Sequence, residues 1–465
     1  ADMTDQEVTA CRNALFVSDP EVERRRAISA TGARARGTCE WIKLNEHYRT
    51  WLGGNNKDGS RLLSISGGLG TGKTMLSIFL TYELERHTAN MDNANLIFFF
   101  CRSHDEARDT GTSLLRSLVH QIITKRPQLI KHVLRYFKTP KSAQETLSSR
   151  FHLWNIFSHL VADEGLGMMF CVLDQLDQCK DGDLSSQLAA IPGHPSIKGS
   201  FRLLLVGRDF PELEWFPRII VNKKSIFNDI TLFASARVKE LVSVQGFNND
   251  FRGFNEKFRH LMEAALIQRA GGKFLWVSVA MKVLSQKQTR TEVWEALQHL
   301  PTSLPAMYKY ILQSIPTEQK TISRTILLWV SMAQRPLGWL ELAEAADTKP
   351  LGPAFCDAIS YLKPLLEIKN DEVWPTHRSV RDFILQDFPR VHPKLFRCDP
   401  FRFDPEQAHL EILQACLDCV ARNTLGDGPR TANGTSNLQE SPLMRYAMAH
   451  WAAHVEGCSP IGDKL

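Results

Sequence analysis

Residues Gly67-Gly68-Leu69-Gly70-Thr71-Gly72-Lys73-Thr74 spell G-x-x-x-x-G-K-[ST], and few folds accommodate that string in its surroundings. Ahead of it, Arg61–Ser66 alternates apolar and polar side chains and predicts a strand. Behind it, Met75–Leu84 has helical spacing. Strand, glycine-rich loop, helix is the context in which the string acts as a phosphate cradle. Its glycines allow a tight turn whose N–H groups face phosphate oxygens, and the helix start adds its positive dipole end. Residues 67–75 (through Met75) therefore form the expected cradle. Lys73 would reach the β- and γ-phosphates, and the Thr74 hydroxyl would ligate Mg²⁺. The chain is expected to bind a nucleoside triphosphate.

At 465 residues the chain has room for roughly two to four domains. With 43% apolar and 23% charged residues it reads as an ordinary globular protein. A net charge of +5 is mild. Arg24-Arg25-Arg26 follows Glu21 and Glu23, which reads as a solvated helix face, so no nucleic-acid partner is expected. The most apolar helical stretch, Phe274–Met281, is closed by Lys273 and Lys282, so no membrane span is expected. The ten cysteines are scattered singly, which suits a reducing compartment and a cytoplasmic location. Cys416 and Cys419 form a C-x-x-C inside a helical pattern with no second pair, and are read as structural. Asn433-Gly434-Thr435 matches a glycan acceptor that a cytosolic chain would not use. The N-terminus, Ala1–Asp5, is acidic, lacks a signal region and lacks an initiator Met. A piece of a longer protein is expected.

Residues 7–35 predict one helix and a basic connector. A second helix begins near Cys39-Glu40-Trp41-Ile42 and leads to Trp51-Leu52, with a turn at Gly53–Asn56. Four apolar runs follow the phosphate-loop strand: Leu96–Cys101, Met168–Asp174, Phe201–Gly207 and Arg218–Val221. Helical patterns at Thr112–Ile123 and Phe151–Val161 lie between them. Buried strands alternating with helices predict a parallel, doubly wound sheet. After residue 228 the pattern turns helical, at Asp229–Val244 and Phe254–Leu284 with a break at Gly271-Gly272. Two prolines in Leu300–Pro305 suggest a boundary. Beyond it, Leu365–Ile368 and Val373–Pro375 fit a small hairpin of a winged-helix unit, and Gly426–Ser436 reads as a loop. The expected domains are an N-terminal helical segment (1–54), a nucleotide-binding domain (55–228), a helical domain (229–300), a winged-helix domain (301–395) and a C-terminal helical segment (396–465).

Mg²⁺ in such a site needs a carboxylate, usually at the end of a buried strand. Asp174 closes Met168–Asp174 after six apolar residues, about one hundred residues beyond the phosphate loop. That separation implies an intervening strand and an α/β P-loop sheet of the additional-strand type, order 5-1-4-3-2. Asp177 can accept a proton from an attacking water, whereas Gln178 can only orient one. Both are also of a type that caps a following helix. Arg208, at the tip of the fourth strand, is placed either to contact the γ-phosphate or to sit on the surface.

Taken together these segments resemble the NACHT family of signal-transducing NTPases, and closely resemble its fungal branch. The resemblance is carried by Gly37–Ile42 and Trp51-Leu52 ahead of Leu62–Gly68, and by Phe98–Cys101 ahead of Leu114–Gln121. Asp174-Gln175-Leu176-Asp177-Gln178-Cys179 is similar to the family's D-x-L-D-E-C box, and Gly272-Lys273-Phe274-Leu275-Trp276 to its helical-domain signature. Ala333–Leu337, His377–Phe383, Pro442–Ala447 and Trp451 extend the match to nearly the whole chain. The resemblance implies a switch that rests closed on a diphosphate, opens on a triphosphate, and forms homo-oligomers. The open form would activate an N-terminal effector in fungal allorecognition or innate-immunity-like programmed cell death. C-terminal sensor repeats would complete the protein. The resemblance also implies that His377 contacts the diphosphate in the closed form; read alone it is equally a core histidine.

Two positions depart from the family. Gln178 stands where the box usually has Glu, which leaves hydrolysis open. Phe274 stands where human relatives have Pro, so the signature does not choose between ATP/ADP and GTP/GDP. The leading expectation is a slow NTPase switch. A hydrolysis-deficient, nucleotide-stabilised scaffold is the alternative. A P-loop phosphotransferase is a third, and it would need Arg102 and Arg108 as a basic lid.

Overall fold

The five strands expected between Arg61 and Val221 meet in one sheet of the computed structural model. That structure describes residues 5–53, 61–102, 109–181, 183–191, 194, 200–208, 210–244, 252–350, 352–385, 400–424 and 441–458. The turn at Gly54–Asn56, Arg108, the Gly426–Ser436 loop and Asn433 lie outside the described residues. The chain folds as two compact units, residues 1–277 and 278–465.

In the first unit the helices and strands run α1 (Asp5–Leu15), α2 (Pro20–Thr31), α3 (Glu46–Gly53), β1 (Leu62–Gly67), α4 (Lys73–Ala89), β2 (Ala94–Phe100) and α5 (Gly111–Lys125). They continue through α6 (Lys131–Leu134), α7 (Pro140–Ser148), α8 (Arg150–Ala162), β3 (Met168–Asp174), α9 (Leu184–Ala190), β4 (Ser200–Gly207) and β5 (Arg218–Val221). Then come α10 (Phe227–Val244), α11 (Arg252–Ala270) and α12 (Phe274–Leu284), the last crossing into the second unit. The strands lie in the order β2-β3-β4-β1-β5, every pair parallel. This is the expected additional-strand P-loop sheet, order 5-1-4-3-2 read from the other edge.

The sheet is buried on both faces because its side chains alternate between two apolar layers. Ile97, Phe99, Cys171, Leu173, Leu203 and Leu205 pack with α5 and α8 on one side. Leu63, Ile65, Phe98, Phe170, Val172 and Leu204 pack with α4 on the other. The segment ahead of β1 contributes to both layers, through Cys11 and Leu15 on one face and Ile42, Tyr48 and Trp51 on the other. At edge strand β2, the Gln121 amide accepts from Phe98 N and donates to Phe98 O, at 3.1 and 2.9 Å. A side chain thus serves the outer side of a strand whose inner side pairs with β3.

The single helix expected over residues 7–35 is two helices. Asp19 accepts the Glu21 amide at 2.8 Å and Pro20 opens the new helix, so the chain is capped and restarted there. The expected second helix is a 3₁₀ turn, Glu40–Leu44, followed by α3.

The second unit continues with α13 (Arg290–His299), α14 (Leu304–Gln313), α15 (Lys320–Met332), β6 (Leu337–Gly338), α16 (Trp339–Ala345) and α17 (Pro353–Leu362). The expected hairpin follows as β7 (Leu366–Lys369) and β8 (Glu372–Pro375), then α18 (Arg378–Ile384). Asn370 and Asp371 both have positive φ, +50° and +63°, as a tight two-residue hairpin turn demands. The two-residue β6 pairs with β8 and makes the wing three-stranded. Helices Pro405–Thr424 and Met444–Gly457 pack against each other. The first is held to α15 by a two-pronged Arg324–Glu411 pair at 2.8 and 3.0 Å.

Candidate functional site

Register brings the carboxyl ends of three strands to one edge: Ser66 lies beside Gly207, and Asp174 beside Val206. In open α/β sheets that edge is where ligands bind. Loop 67–74 leaves β1 there and enters α4 directly.

Gly70 and Gly72 have φ of +74° and +86°, conformations that other residues rarely adopt. A Cβ on Gly70 would lie 2.8 Å from the Leu275 Cβ, and one on Gly72 would lie 3.1 Å from the Phe274 ring. Conformation favours glycine at both positions, and at Gly70 space requires it as well. Gly67 is almost as confined, and Gly68 is open. The Lys73 ammonium folds back over the loop and donates to Gly67 O at 2.6 Å and Gly68 O at 2.8 Å. Thr71 Oγ1 donates to Gly68 O at 2.9 Å. Leu69 and Met75 are half-buried at the loop tip and on the first turn of α4.

Asp174, wholly buried, faces that helix turn. Its Oδ1 accepts from Ser77 Oγ at 2.7 Å, and its Oδ2 accepts from Gln175 Nε2 at 3.2 Å. The same Gln175 Nε2 donates to Thr74 Oγ1 at 2.7 Å. Burial raises the Asp174 pKa, while Ser77, Gln175, Thr74 and the Lys73 charge oppose it. A hydroxyl and a buried carboxylate brought to the same turn are hard oxygen donors of the kind Mg²⁺ takes alongside phosphate and water. Thr74 and Asp174 therefore fit Mg²⁺.

Asp177 and Gln178 do not cap the next helix, which begins at Leu184. They lie in a 3₁₀ turn, Leu176–Gln178, directly after β3. Asp177 Oδ1 accepts the Arg208 amide at 3.2 Å, and its Oδ2 lies 3.5 Å from Arg208 Nε. Arg208 is thus both half-exposed and paired, at the edge where Asp174 ends its strand. Gln178 is buried, its N–H donating to Gln175 O at 2.8 Å. Arg102 follows β2 and is half-buried.

His377 belongs to the second unit, where it caps α18. Its Nδ1 accepts the Ser379 amide at 3.1 Å and lies 2.8 Å from Ser379 Oγ, which in turn meets Tyr308 OH at 2.7 Å. Because Nδ1 is an acceptor, the neutral ring carries its proton on Nε2.

Three participants escaped the sequence reading. Ser77 lies one turn beyond Lys73, so i,i+4 spacing carries a signal for it. Gln175 carries none, because its reach depends on a left-handed backbone, φ +56° and ψ +40°, at a non-glycine residue. The third is the seat of Phe274 and Leu275 on the loop glycines. Gly271 and Gly272, at φ +57° and +83°, turn the chain between α11 and α12 and deliver Leu275 N to Gly70 O at 3.4 Å.

Comparison with known proteins agrees with this picture. Residues 37–208 match the family described as Nephrocystin 3, N-terminal. Over 391 residues the chain is 28% identical to vegetative incompatibility protein HET-E-1 of Podospora anserina, a match covering 81% of this chain and 28% of that protein. The chain thus spans under a third of the length of that curated relative. These matches bear out the resemblance to fungal NACHT proteins. Among solved structures, Cdc6p from Pyrobaculum aerophilum is similar at 13% identity and a TM-score of 0.33, over 76% of this chain and 94% of that one. The Aeropyrum pernix ORC2 protein is similar at 14% identity and 0.34, over 75% and 92%. Those likenesses are too loose to carry a function.

Proposed function

From a P-loop sheet and a likeness to a fungal incompatibility protein, we propose that the chain is a nucleotide-driven signalling switch. It binds ATP or GTP on residues 67–75, with Mg²⁺ held by Thr74 and Asp174, and hydrolyses the triphosphate slowly. The diphosphate form is the closed resting state. The triphosphate form opens, assembles with further copies and activates an effector in allorecognition or cell death in the cytoplasm. The effector and the sensor repeats belong to the parts of the protein beyond this chain, and His377 contacts the diphosphate.

The convergence of Lys73, Thr74 and Asp174 on a glycine-built loop is the observation that carries this reading. When bound, Mg²⁺ neutralises charge on the phosphate oxygens. The chain's own residues then set the pace. Lys73 leaves the loop carbonyls for the phosphates, and Arg208 stands at the strand edge to register the γ-phosphate. Asp177, the one nearby carboxylate in the turn able to take a proton from water, is engaged with Arg208. Gln178 has no basic oxygen to replace it. Turnover is therefore slow, below about one per second, at the low end of the enzyme range.

Rapid turnover by the purified chain, without any partner, would overturn the switch. Gln178→Glu separates it from the hydrolysis-deficient scaffold. A faster single-turnover rate in the variant marks Gln178 as the limiting residue, and an unchanged rate removes it from that role.

A further inference from the structure

One side chain at this edge is used by neither cradle nor hydrolysis. The Gln175 amide nitrogen donates to Thr74 Oγ1 at 2.7 Å and to Asp174 Oδ2 at 3.2 Å, the two residues that fit Mg²⁺. It is held there by its backbone. Gln175 N donates to Val206 O at 2.6 Å, Gln175 O accepts from Gln178 N at 2.8 Å, and φ of +56° sets the residue in the left-handed region. A non-glycine residue in that conformation is strained unless its surroundings hold it.

An N–H donor takes one lone pair of each oxygen and sets a partial positive charge where a cation would approach. We infer that Gln175 is a latch on the divalent-cation site, which weakens metal binding by Thr74 and Asp174 until its amide swings away. The inference rests on the nucleotide-site reading and adds regulation to it. The latched site binds nucleotide with little help from Mg²⁺. Metal engagement, and the chemistry that needs it, is gated by movement of one side chain in the turn that also carries Asp177 and Gln178. Gln175 is thus a positioning residue: it acts through the metal ligands Thr74 and Asp174.

The test is the affinity of the imido analogues of ATP and GTP for the whole chain, measured with MgCl₂ and with EDTA. Gln175→Ala removes the amide. Gln175→Gly removes it in a residue that suits positive φ, so at least one variant should keep the turn. We expect the Mg²⁺/EDTA affinity ratio to rise about tenfold in the variants, the scale of one hydrogen bond to a charged group, with the EDTA affinity unchanged. Half-saturation of the diphosphate complex by Mn²⁺, read by electron paramagnetic resonance, should fall by a similar factor. An unchanged ratio in both variants would overturn the latch. A reduced ratio would also overturn it, since Gln175 would then be helping to bind the metal. Loss of analogue binding by the unaltered chain in both buffers would instead refute the phosphate-loop reading beneath it.

Discussion

Lys73 shows how a residue can be held ready by the structure it serves. Its ammonium donates to two loop carbonyls, 2.6 and 2.8 Å away, and phosphate oxygens offer it stronger, charged acceptors. Lys73→Ala should therefore weaken triphosphate binding at least about a hundredfold, measured by calorimetry, at little cost to folding. Gly72 should behave in the opposite way. With φ at +86° and the Phe274 ring 3.1 Å from a prospective Cβ, Gly72→Ala should cost about 1–2 kcal/mol of stability. The thermal unfolding midpoint would then fall by several degrees. An unshifted midpoint would show that the loop does not hold this conformation. Lys73, Thr74 and Asp174 were legible beforehand because their chemistry depends on residue type and position along an element. Gln175 was not, because a backbone angle aims it.

At the scale of elements, buried strands announced themselves as apolar runs, and β3 matches its expected limits. Short elements did not. Helices α6 and α7 and the two-residue β6 are too brief for a period to show, and the α1–α2 break was hidden in a continuous helical pattern. The C-terminal helix pair carries a titration that spacing could not reveal. His454, buried on Met444–Gly457, meets Tyr446 OH through Nε2 at 2.8 Å and His409 Nδ1 on the partner helix through Nδ1 at 2.9 Å. A neutral ring satisfies both contacts, accepting at one nitrogen and donating at the other. Burial, then the neighbouring His409 and His450, lowers its pKa from 6.5 to about 4. His409 moves in the same direction, through burial and the charge of Arg381. Below pH 6.5 the unfolded chain binds a proton that folded His454 refuses, so stability is intact above 6.5 and is lost as the pH falls toward 4. The loss should approach about 3 kcal/mol. His454→Asn should flatten the fall of the unfolding midpoint across that window, and an equally steep fall would remove His454 as its source.

Across the first unit, sheet topology is what gives the loop its surroundings. The order β2-β3-β4-β1-β5 sets β4 between the strand that carries Asp174 and the strand that leads to the loop. That order was legible from the distance between the two motifs, which leaves room for a strand. The seating of α12 on the loop was not, because it depends on two left-handed glycines far along the chain. Through that seating the helix touches the residues that would hold phosphate, so a saturating triphosphate analogue should raise the unfolding midpoint of this unit by several degrees, and Lys73→Ala should abolish the shift. The central claim is that this loop holds a nucleotide. The direct measurement is to denature the purified chain and resolve what it releases by anion-exchange chromatography. The account predicts about one diphosphate per chain, ADP or GDP, absent from Lys73→Ala. Retained triphosphate would place the chain with the hydrolysis-deficient scaffolds. No nucleotide at all, with none taken up from millimolar ATP or GTP, would contradict the account.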